Sequence, residues 1–186
     1  MVKNMLGLLL CLWTNGMDTG DMLLKEKIKI LEEDNLETVY NKLQDIGSKL
    51  LVETIEKVIK DEIIPVKQIG DFSLAPMISK EMTKIDFNKS AREVFNFVRG
   101  LNPVPSVYME HENGSIFKVG KVVELKDIND LQNAKIGEIV ETKNKLIIKC
   151  KDSYISVLEI KPEGKKMMNI KDFLNGSKLN KGEIFK

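Results

Sequence analysis

The sequence predicts two domains: an α/β unit over residues 1–64, and a small antiparallel β-barrel with a terminal helix over residues 84–186. In the first part, an alternating strand pattern is followed by a long amphipathic helix pattern. In the second part, five short apolar runs are separated by tight polar turns. Between the two, residues 65–83 lack periodicity and contain Pro65, Gly70 and Pro76, which predicts a linker.

The first apolar run extends from Met5 to Trp13. It covers nine positions, whereas a membrane-spanning helix needs roughly 20 residues. A secretory signal is one interpretation because Lys3 precedes the run, but no small-x-small cleavage site follows. We favour a buried parallel strand, since such strands carry uninterrupted apolar residues. The alternation of apolar and charged residues from Leu24 to Ile30 predicts a second strand, covered on one face.

A long helix is predicted next. Apolar side chains recur at three- and four-residue spacing over residues 37–59. Asp34 or Asn35 is placed to cap the start of this helix, and Pro65 lies beyond its end.

The second domain starts with a shorter helix within residues 90–103. Ser90 and Glu93 have the spacing of a capping box, and Pro103 follows the apolar positions. Five strands are then predicted over residues 107–111, 115–125, 137–142, 145–150 and 154–160.

Two turns of this domain carry specific expectations. Asn113 and Gly114 suit a two-residue hairpin, which requires positive backbone angles. The stretch 169–176 predicts a final short helix that Asn169 caps and that Gly176 ends in a left-handed conformation.

The composition is that of a soluble globular protein, with 42% hydrophobic and 31% charged residues. Cys11 and Cys150 lie in separate apolar stretches without metal-ligand spacing, so we expect no disulfide framework, no metal site and a reducing cytoplasmic setting. Residues 143–186 hold 11 lysines against five acidic residues. This excess indicates either a solvated face or a surface for phosphates.

The stretch Asp18-Thr19-Gly20 admits three interpretations. An aspartic protease needs two such copies that share a proton, but the chain has one copy, and Asp21 would add a further carboxylate. A tight turn would have Asp18 accept hydrogen bonds from backbone N–H groups. The third interpretation is one member of a transferase triad.

Longer windows favour the transferase. The stretch GMDTGDML resembles a loop of the methionyl-tRNA formyltransferases. The stretch LAPMISKEMTKIDFNKSAREVFNFVRGLNPVPSVY resembles the interdomain segment of that family, and LEIKPEGKKMMNIKDFLNG its closing signature. Three separated matches in the right order are more specific than any one of them. They imply the carboxyl-terminal part of a Rossmann-like catalytic domain, followed by an OB-like barrel that contacts tRNA.

The sequence departs from this family at several places. Val104 and Gly120 stand where the family usually has Trp, and Ile136 stands where it has Pro. The first 15 residues match poorly, and no Asn-x-His element, folate loop of the Ser-Leu-Leu-Pro type or tRNA-gripping insertion precedes the aspartate.

The resemblance implies a set of site residues. Asp18 matches the aspartate of a catalytic Asn-His-Asp set. Asn15, Gly16 and Met17 fall in the loop that lines the pocket for the co-substrate 10-formyltetrahydrofolate, and no metal is implied.

The resemblance also implies tRNA contacts, for which Arg99, Lys165 and Lys166 are the candidates. For Lys165 and Lys166 the alternative is a solvated turn, and for Arg99 an ion pair with Glu93 or Asp86.

Four other side chains are expected to have structural roles. We expect His111, the one histidine, to be an exposed hairpin residue rather than a general base, without a carboxylate partner. Phe95, Phe97 and Phe117 are expected to belong to the core.

The implied function is formyl transfer from 10-formyltetrahydrofolate to methionyl initiator tRNA in translation initiation. Since one of three triad positions is present, we expect the chain to be truncated, inactive alone and rich in exposed apolar surface over residues 1–64. Three origins stay open: a gene fragment, a frameshift product, or a tRNA-binding accessory half whose amino-terminal half is a separate polypeptide.

Overall fold

A computed structural model describes residues 4–16, 18–71, 73–126 and 133–186. The chain divides into two compact units, Met1–Pro76 and Met77–Lys186. The segment predicted as a linker is therefore shared: residues 65–76 belong to the first unit and residues 77–83 to the second. No helix in the described parts of the chain is long and apolar enough to cross a membrane.

The first unit consists of β1 (Met5–Cys11), β2 (Met22–Lys29) and α1 (Leu36–Ile59). The two strands form an antiparallel hairpin in which Met5 lies opposite Lys29. The prediction of a buried parallel β1 is wrong in both respects. The connection to β2 has ten residues, shorter than the crossover that parallel neighbours need, and the side chains of β1 are exposed or half-buried.

Helix α1 starts as predicted. The Asn35 side chain accepts a hydrogen bond from the Thr38 backbone N–H, and the Thr38 hydroxyl accepts one from the Asn35 N–H. Asp34 braces the same turn, because its carboxylate accepts from the Leu31 N–H at 2.7 Å and pairs with Lys42 Nζ at 2.6 Å. The Lys42 ammonium, the largest cause, holds the pKa of Asp34 below its usual value.

The second unit has six strands and two α-helices in the described residues. They are α2 (Ala91–Leu101), β3 (Val107–Glu110), β4 (Ile116–Leu125), β5 (Ile139–Glu141), β6 (Leu146–Lys149), β7 (Tyr154–Pro162), β8 (Met168–Asn169) and α3 (Ile170–Gly176). The sheet is antiparallel in the order β3-β4-β7-β6-β5, with β8 paired to β7. The five predicted strands are confirmed, and β8 is additional.

Residues 182–186 connect the two edges of this sheet. The Lys186 N–H donates to the Glu110 carbonyl at 2.7 Å, on the β3 side. The Ile139 N–H donates to the Glu183 carbonyl at 2.8 Å, on the β5 side. The sheet therefore curls, and the last residues of the chain cover both of its edge strands.

The core of the second unit lies between this curled sheet and its helices. Helix α2 contributes Val94 and Val98, and its Ser90–Glu93 capping box is confirmed. Phe95, Phe97 and Phe117 pack against the core as predicted. Both cysteines are free, and burial raises the pKa of the Cys150 thiol to about 12.

Two turn predictions are wrong in detail. The β3–β4 hairpin has a three-residue loop, since the Gly114 N–H donates to the His111 carbonyl and the His111 N–H to the Ser115 carbonyl, both at 2.8 Å. Only Gly114 needs a positive φ, +88°, because the loop is longer than predicted. Helix α3 ends without a left-handed glycine: Gly176 has no positive φ, and Ser177 continues in an extended conformation at φ −81°.

Candidate functional site

The loop between β1 and β2 carries the Asp-Thr-Gly stretch. The Leu12 N–H donates to the Asp21 carbonyl at 2.9 Å and closes the loop at its base. Above it, the hydroxyls of Thr14 and Thr19 are 2.8 Å apart and bridge the two arms. The loop is thus held from inside by short-range hydrogen bonds.

Close packing requires the second glycine of this loop. Gly20 is buried, and a Cβ at this position would lie 1.7 Å from the Leu12 carbonyl oxygen. A Cβ at Gly16 would lie 2.5 Å from the Thr19 hydroxyl. The glycines of the motif therefore have a packing role beside any role in catalysis.

Asp18 lies at the outer end of the loop. Its φ is +53°, a left-handed conformation that aspartate tolerates better than most residues do. The side chain is exposed, and no N–H or O–H group of the described residues donates to its carboxylate. In the described part of the loop, Asp18 therefore does not accept hydrogen bonds from backbone N–H groups, as the tight-turn interpretation expected.

A glutamine distant in sequence fixes the backbone around Asp18. Gln68 Nε2 donates to the Asp18 carbonyl at 2.9 Å and to the Gly20 carbonyl at 2.7 Å. Val66 pairs with Met22 through two backbone hydrogen bonds of 2.7 and 2.9 Å, which places Gln68 beside the loop. Sequence reasoning missed Gln68, because it lies in a segment predicted to be only a connector.

The loop borders an open cavity of about 400 Å³. Its lining includes Asn15, Gly16 and Asp18, so the structure brings these three predicted residues together, while Met17 lies outside the described residues. The Trp13 side chain beside them is 98% exposed. The arrangement offers a flat apolar surface and one carboxylate, which can accept a hydrogen bond or orient a partner. The described residues contain no cluster suited to a metal ion.

The candidates for tRNA contact lie in the second unit. The Arg99 guanidinium stacks 5.2 Å from the Phe95 ring centre, and its Nε donates to Asn96 Oδ1 at 2.8 Å. Lys165 and Lys166 are exposed on the turn between β7 and β8, which the Lys165 N–H closes by donating to a carbonyl.

The predictions that His111 is exposed and that it lacks a carboxylate partner are wrong. The residue is 4% exposed, and its Nε2 lies 3.2 Å from Glu183 Oε2. Its ring also meets Phe185 edge to face, with centres 5.3 Å apart. The cause is the tail of the chain, which folds back over the hairpin and supplies the carboxylate that local sequence did not indicate.

Family models match both units. The model described as "Formyl transferase" matches residues 3–55, and the one described as "Formyl transferase, C-terminal domain" matches residues 77–178. The chain is 41% identical over 169 residues to a methionyl-tRNA formyltransferase from Thermodesulfovibrio yellowstonii, covering 90% of this chain and 52% of the relative. The chain thus spans about half the length of the curated relatives that it matches.

Solved structures show the same fold. HypX from Aquifex aeolicus, in complex with tetrahydrofolic acid, aligns with a TM-score of 0.67 at 12% identity, over 99% of this chain and 34% of that one. Methionyl-tRNA formyltransferase from Clostridium thermocellum aligns with a TM-score of 0.52 at 15% identity, over 66% of this chain and 52% of that one. Since the carboxyl-terminal family model alone matches more than half of the residues, this chain belongs to the formyl transferase family, in which its curated relatives are methionyl-tRNA formyltransferases.

Proposed function

We propose that this chain serves methionyl-tRNA formylation, in which a formyl group moves from 10-formyltetrahydrofolate to the amino group of methionyl initiator tRNA. The identity of 41% to a methionyl-tRNA formyltransferase over 90% of the chain carries this proposal. Residues 1–64 would form part of the catalytic domain, residues 65–83 its linker, and residues 84–186 an OB-like tRNA-binding domain. The free Cys11 and Cys150 thiols suit the cytoplasm, where we place this function.

Asp18 is the catalytic position within this chain. In formyl transfer the amine must be neutral, the oxyanion at the formyl carbon needs hydrogen-bond donors, and a proton must reach the departing nitrogen. An exposed carboxylate can orient a histidine and accept a proton, but it supplies no donor to an oxyanion. Trp13, Asn15 and Gly16 border the cavity next to it and offer a surface for the folate ring.

The 186-residue polypeptide alone should not catalyse the reaction. Its one histidine, His111, is 4% exposed in the second unit and lies against Glu183, so it is not available as the partner of Asp18. Members of a catalytic set act as a unit, and one member gives little rate enhancement. A separate amino-terminal half with the Asn and His would have to complete the site.

Formylation assays test this proposal directly. The purified chain alone should give turnover equal to buffer, whereas the Thermodesulfovibrio yellowstonii relative, assayed in parallel, provides the positive control. Adding a separately expressed amino-terminal half of that relative should restore turnover, and Asp18→Asn should reduce the restored rate by at least ~10²-fold. Turnover by the chain alone contradicts the proposed inactivity, and an unaffected Asp18→Asn contradicts the catalytic role.

A second candidate function is a tRNA-binding module. Lys165 and Lys166 are adjacent and exposed on one turn, and residues 143–186 carry a net charge of +6, from 11 lysines and five acidic residues. Arg99 presents a stacked guanidinium on α2 of the same unit. Exposed cations hold phosphates without reading sequence, so binding should be weak and electrostatic.

The salt dependence of tRNA binding tests the module. Affinity should fall steeply between 50 and 200 mM salt, by roughly tenfold for every two to three phosphates contacted. Replacing both Lys165 and Lys166 by Met should reduce the slope by about two, since each lysine releases about one counterion. Affinity that does not change with salt, or that the double variant leaves intact, argues against this surface.

A further inference from the structure

A second cavity, of about 510 Å³, opens on the outer face of the curled sheet in the second unit. Three of its lining residues, Tyr108, Lys118 and Lys161, lie directly opposite one another across β3, β4 and β7. The neighbouring positions Met109 and Val119 are fully buried on the other face, in the core. The row therefore faces away from the core and forms the floor of the cavity.

The floor carries an uncompensated positive charge. Lys118 and Lys161 are a cross-strand pair, where like charges repel each other. Neither forms an ion pair with a described carboxylate within 4.0 Å. Lys80 also lines the cavity, against one acidic residue, Glu163, so the lining has a net charge of +2. This arrangement is typical of a site for an anion.

A buried hydroxyl adds a second, independent observation. Ser106 also lines the cavity and is 8% exposed, and its Oγ has no hydrogen-bond partner in the described residues. Its backbone N–H donates to the Leu101 carbonyl at 2.8 Å, so the side-chain hydroxyl is the donor of Ser106 that lacks an acceptor in the described residues. Buried hydroxyls are rarely left without a partner, and a bound acceptor would satisfy this one.

The other walls are largely apolar. Ile78, Pro105, Ile116 and Pro162 surround the charged floor. A cavity of this volume, with apolar walls and a few polar groups, is typical of sites for small molecules. Two adjacent lysines match the double negative charge of a phosphate monoester better than a single carboxylate.

We propose that this cavity binds a small organic phosphate, with the phosphate group between Lys118 and Lys161, the Ser106 hydroxyl as a donor, and a flat apolar body against the proline and isoleucine walls. The site shares no residue with the Asp18 loop, and it adjoins the turn that carries Lys165 and Lys166, because Pro162, Glu163 and Gly164 at the start of that turn line the cavity. It stands whether or not the chain serves formylation.

Calorimetric titration of the 186-residue chain with adenosine 5′-monophosphate tests the proposal, with adenosine and inorganic phosphate as matched probes. The nucleotide should bind with a Kd below ~1 mM. Adenosine should bind at least ~10-fold more weakly, because it lacks the charge, and phosphate more weakly, because it lacks the apolar body. No heat with the nucleotide, or equal affinity for adenosine, overturns the site; equal affinity for phosphate overturns its organic part.

Variants locate the binding. Lys118→Met and Lys161→Met should each weaken nucleotide binding by ~10-fold, and Ser106→Ala by a few-fold. Lys121→Met is the matched control, because Lys121 is exposed on the same strand as Lys118 and does not line the cavity. Lys118→Met should also raise Tm slightly, since it removes the repulsion between the paired lysines. Wild-type affinity in both lysine variants overturns the proposal.

A competition arm distinguishes two sources of the phosphate. Unacylated tRNA added during the nucleotide titration leaves the Kd unchanged if the cavity takes a free ligand. Displacement that persists when Lys165 and Lys166 are both replaced by Met assigns the cavity instead to a phosphate carried by RNA, whereas displacement that is lost in this variant comes from tRNA held on the adjoining turn and leaves the cavity to the free ligand. Either result supports the site, and the two assign it to different ligands.

Discussion

The two units of this chain differ in how much apolar surface they bury. Among the described residues, Leu50 is the one buried apolar side chain of the first unit, whereas the second unit holds the whole of a contiguous core. In the first unit, Trp13 is 98% exposed, and Ile55, on α1, is 51% exposed. The first unit shows that local signals are enough to form strands and a helix. A core, as in the second unit, also requires that each apolar face be covered by another element.

The first unit buries less apolar surface because fewer layers of secondary structure cover its apolar faces. Strand β1 is apolar at nearly every position, a composition suited to a strand covered on both faces, yet it has one antiparallel neighbour, β2, in the described residues. In the second unit the sheet curls over its own apolar face, and residues 182–186 cover its edge strands. The stability of the chain should therefore reside mainly in the second unit.

The largest expected effect compares two aromatic side chains. Phe185 is 1% exposed and packs edge to face against Phe117 and His111, so Phe185→Ala should lower the free energy of unfolding of the second unit by about 3–5 kcal/mol. Trp13→Ala should change the free energy of unfolding of the first unit by less than about 0.5 kcal/mol, because the Trp13 side chain is exposed. Urea denaturation followed by far-UV circular dichroism measures both. Equal effects would mean that the units do not differ in the way described.

Local signals predicted the elements of both units well. The caps at Asn35 and Ser90 depend on residues within one helical turn, and five strands of the second unit follow from short-range alternation. Long-range partners were not predictable in the same way. Gln68 bonds to a carbonyl 50 residues away, and no local pattern marks a side chain for that purpose.

The same limit explains the errors at His111 and β1. His111 is buried because the tail brings Glu183 and Phe185 onto it, which depends on the path of the whole unit. For β1, apolar composition indicates which faces can be covered but not which strand pairs with it. Asn15, Gly16 and Asp18 line the cavity at the β1–β2 loop together, and the roles assigned to them stay predictions.

The next effect compares one carboxylate from each unit. The Asn180 backbone N–H, the largest cause, holds the pKa of Glu183 below its usual value, and the Lys42 ammonium does the same for Asp34. A lowered pKa in the folded state contributes stability above the unfolded value, about 4, which is lost as pH falls through the folded value. Glu183→Gln should therefore cost the second unit about 1–2 kcal/mol at pH 7 and much less at pH 2.

Asp34→Asn is the counterpart in the first unit. It should weaken the start of α1 at pH 7 and leave the second unit unchanged, because Leu31, Thr38 and Lys42, which donate hydrogen bonds to the Asp34 carboxylate, all lie in or next to the first two turns of α1. Urea titrations at the two pH values measure Glu183→Gln, and amide exchange in the first turn of α1 measures Asp34→Asn. If Glu183→Gln lowered the free energy of unfolding equally at both pH values, the charge of the Glu183 carboxylate would contribute nothing to stability.

The smallest effect compares two equivalent caps. Ser90 and Glu93 exchange hydrogen bonds of 2.9 and 3.2 Å at the start of α2, and Asn35 and Thr38 exchange bonds of 3.0 and 2.9 Å at the start of α1. Removing either cap should cost its helix about 1 kcal/mol. Because α2 packs on the core, Ser90→Ala should lower the unfolding free energy of the whole second unit by that amount.

Asn35→Ala should instead act locally, since α1 buries little apolar surface: amide exchange should accelerate in its first turn while the second unit unfolds at an unchanged urea concentration. Ser90→Asp and Asn35→Ser retain a side-chain acceptor, and each should restore most of the loss. If Asn35→Ala lowered the stability of both units together, the two would unfold as one cooperative body, and the contrast in their cores would not translate into a contrast in stability.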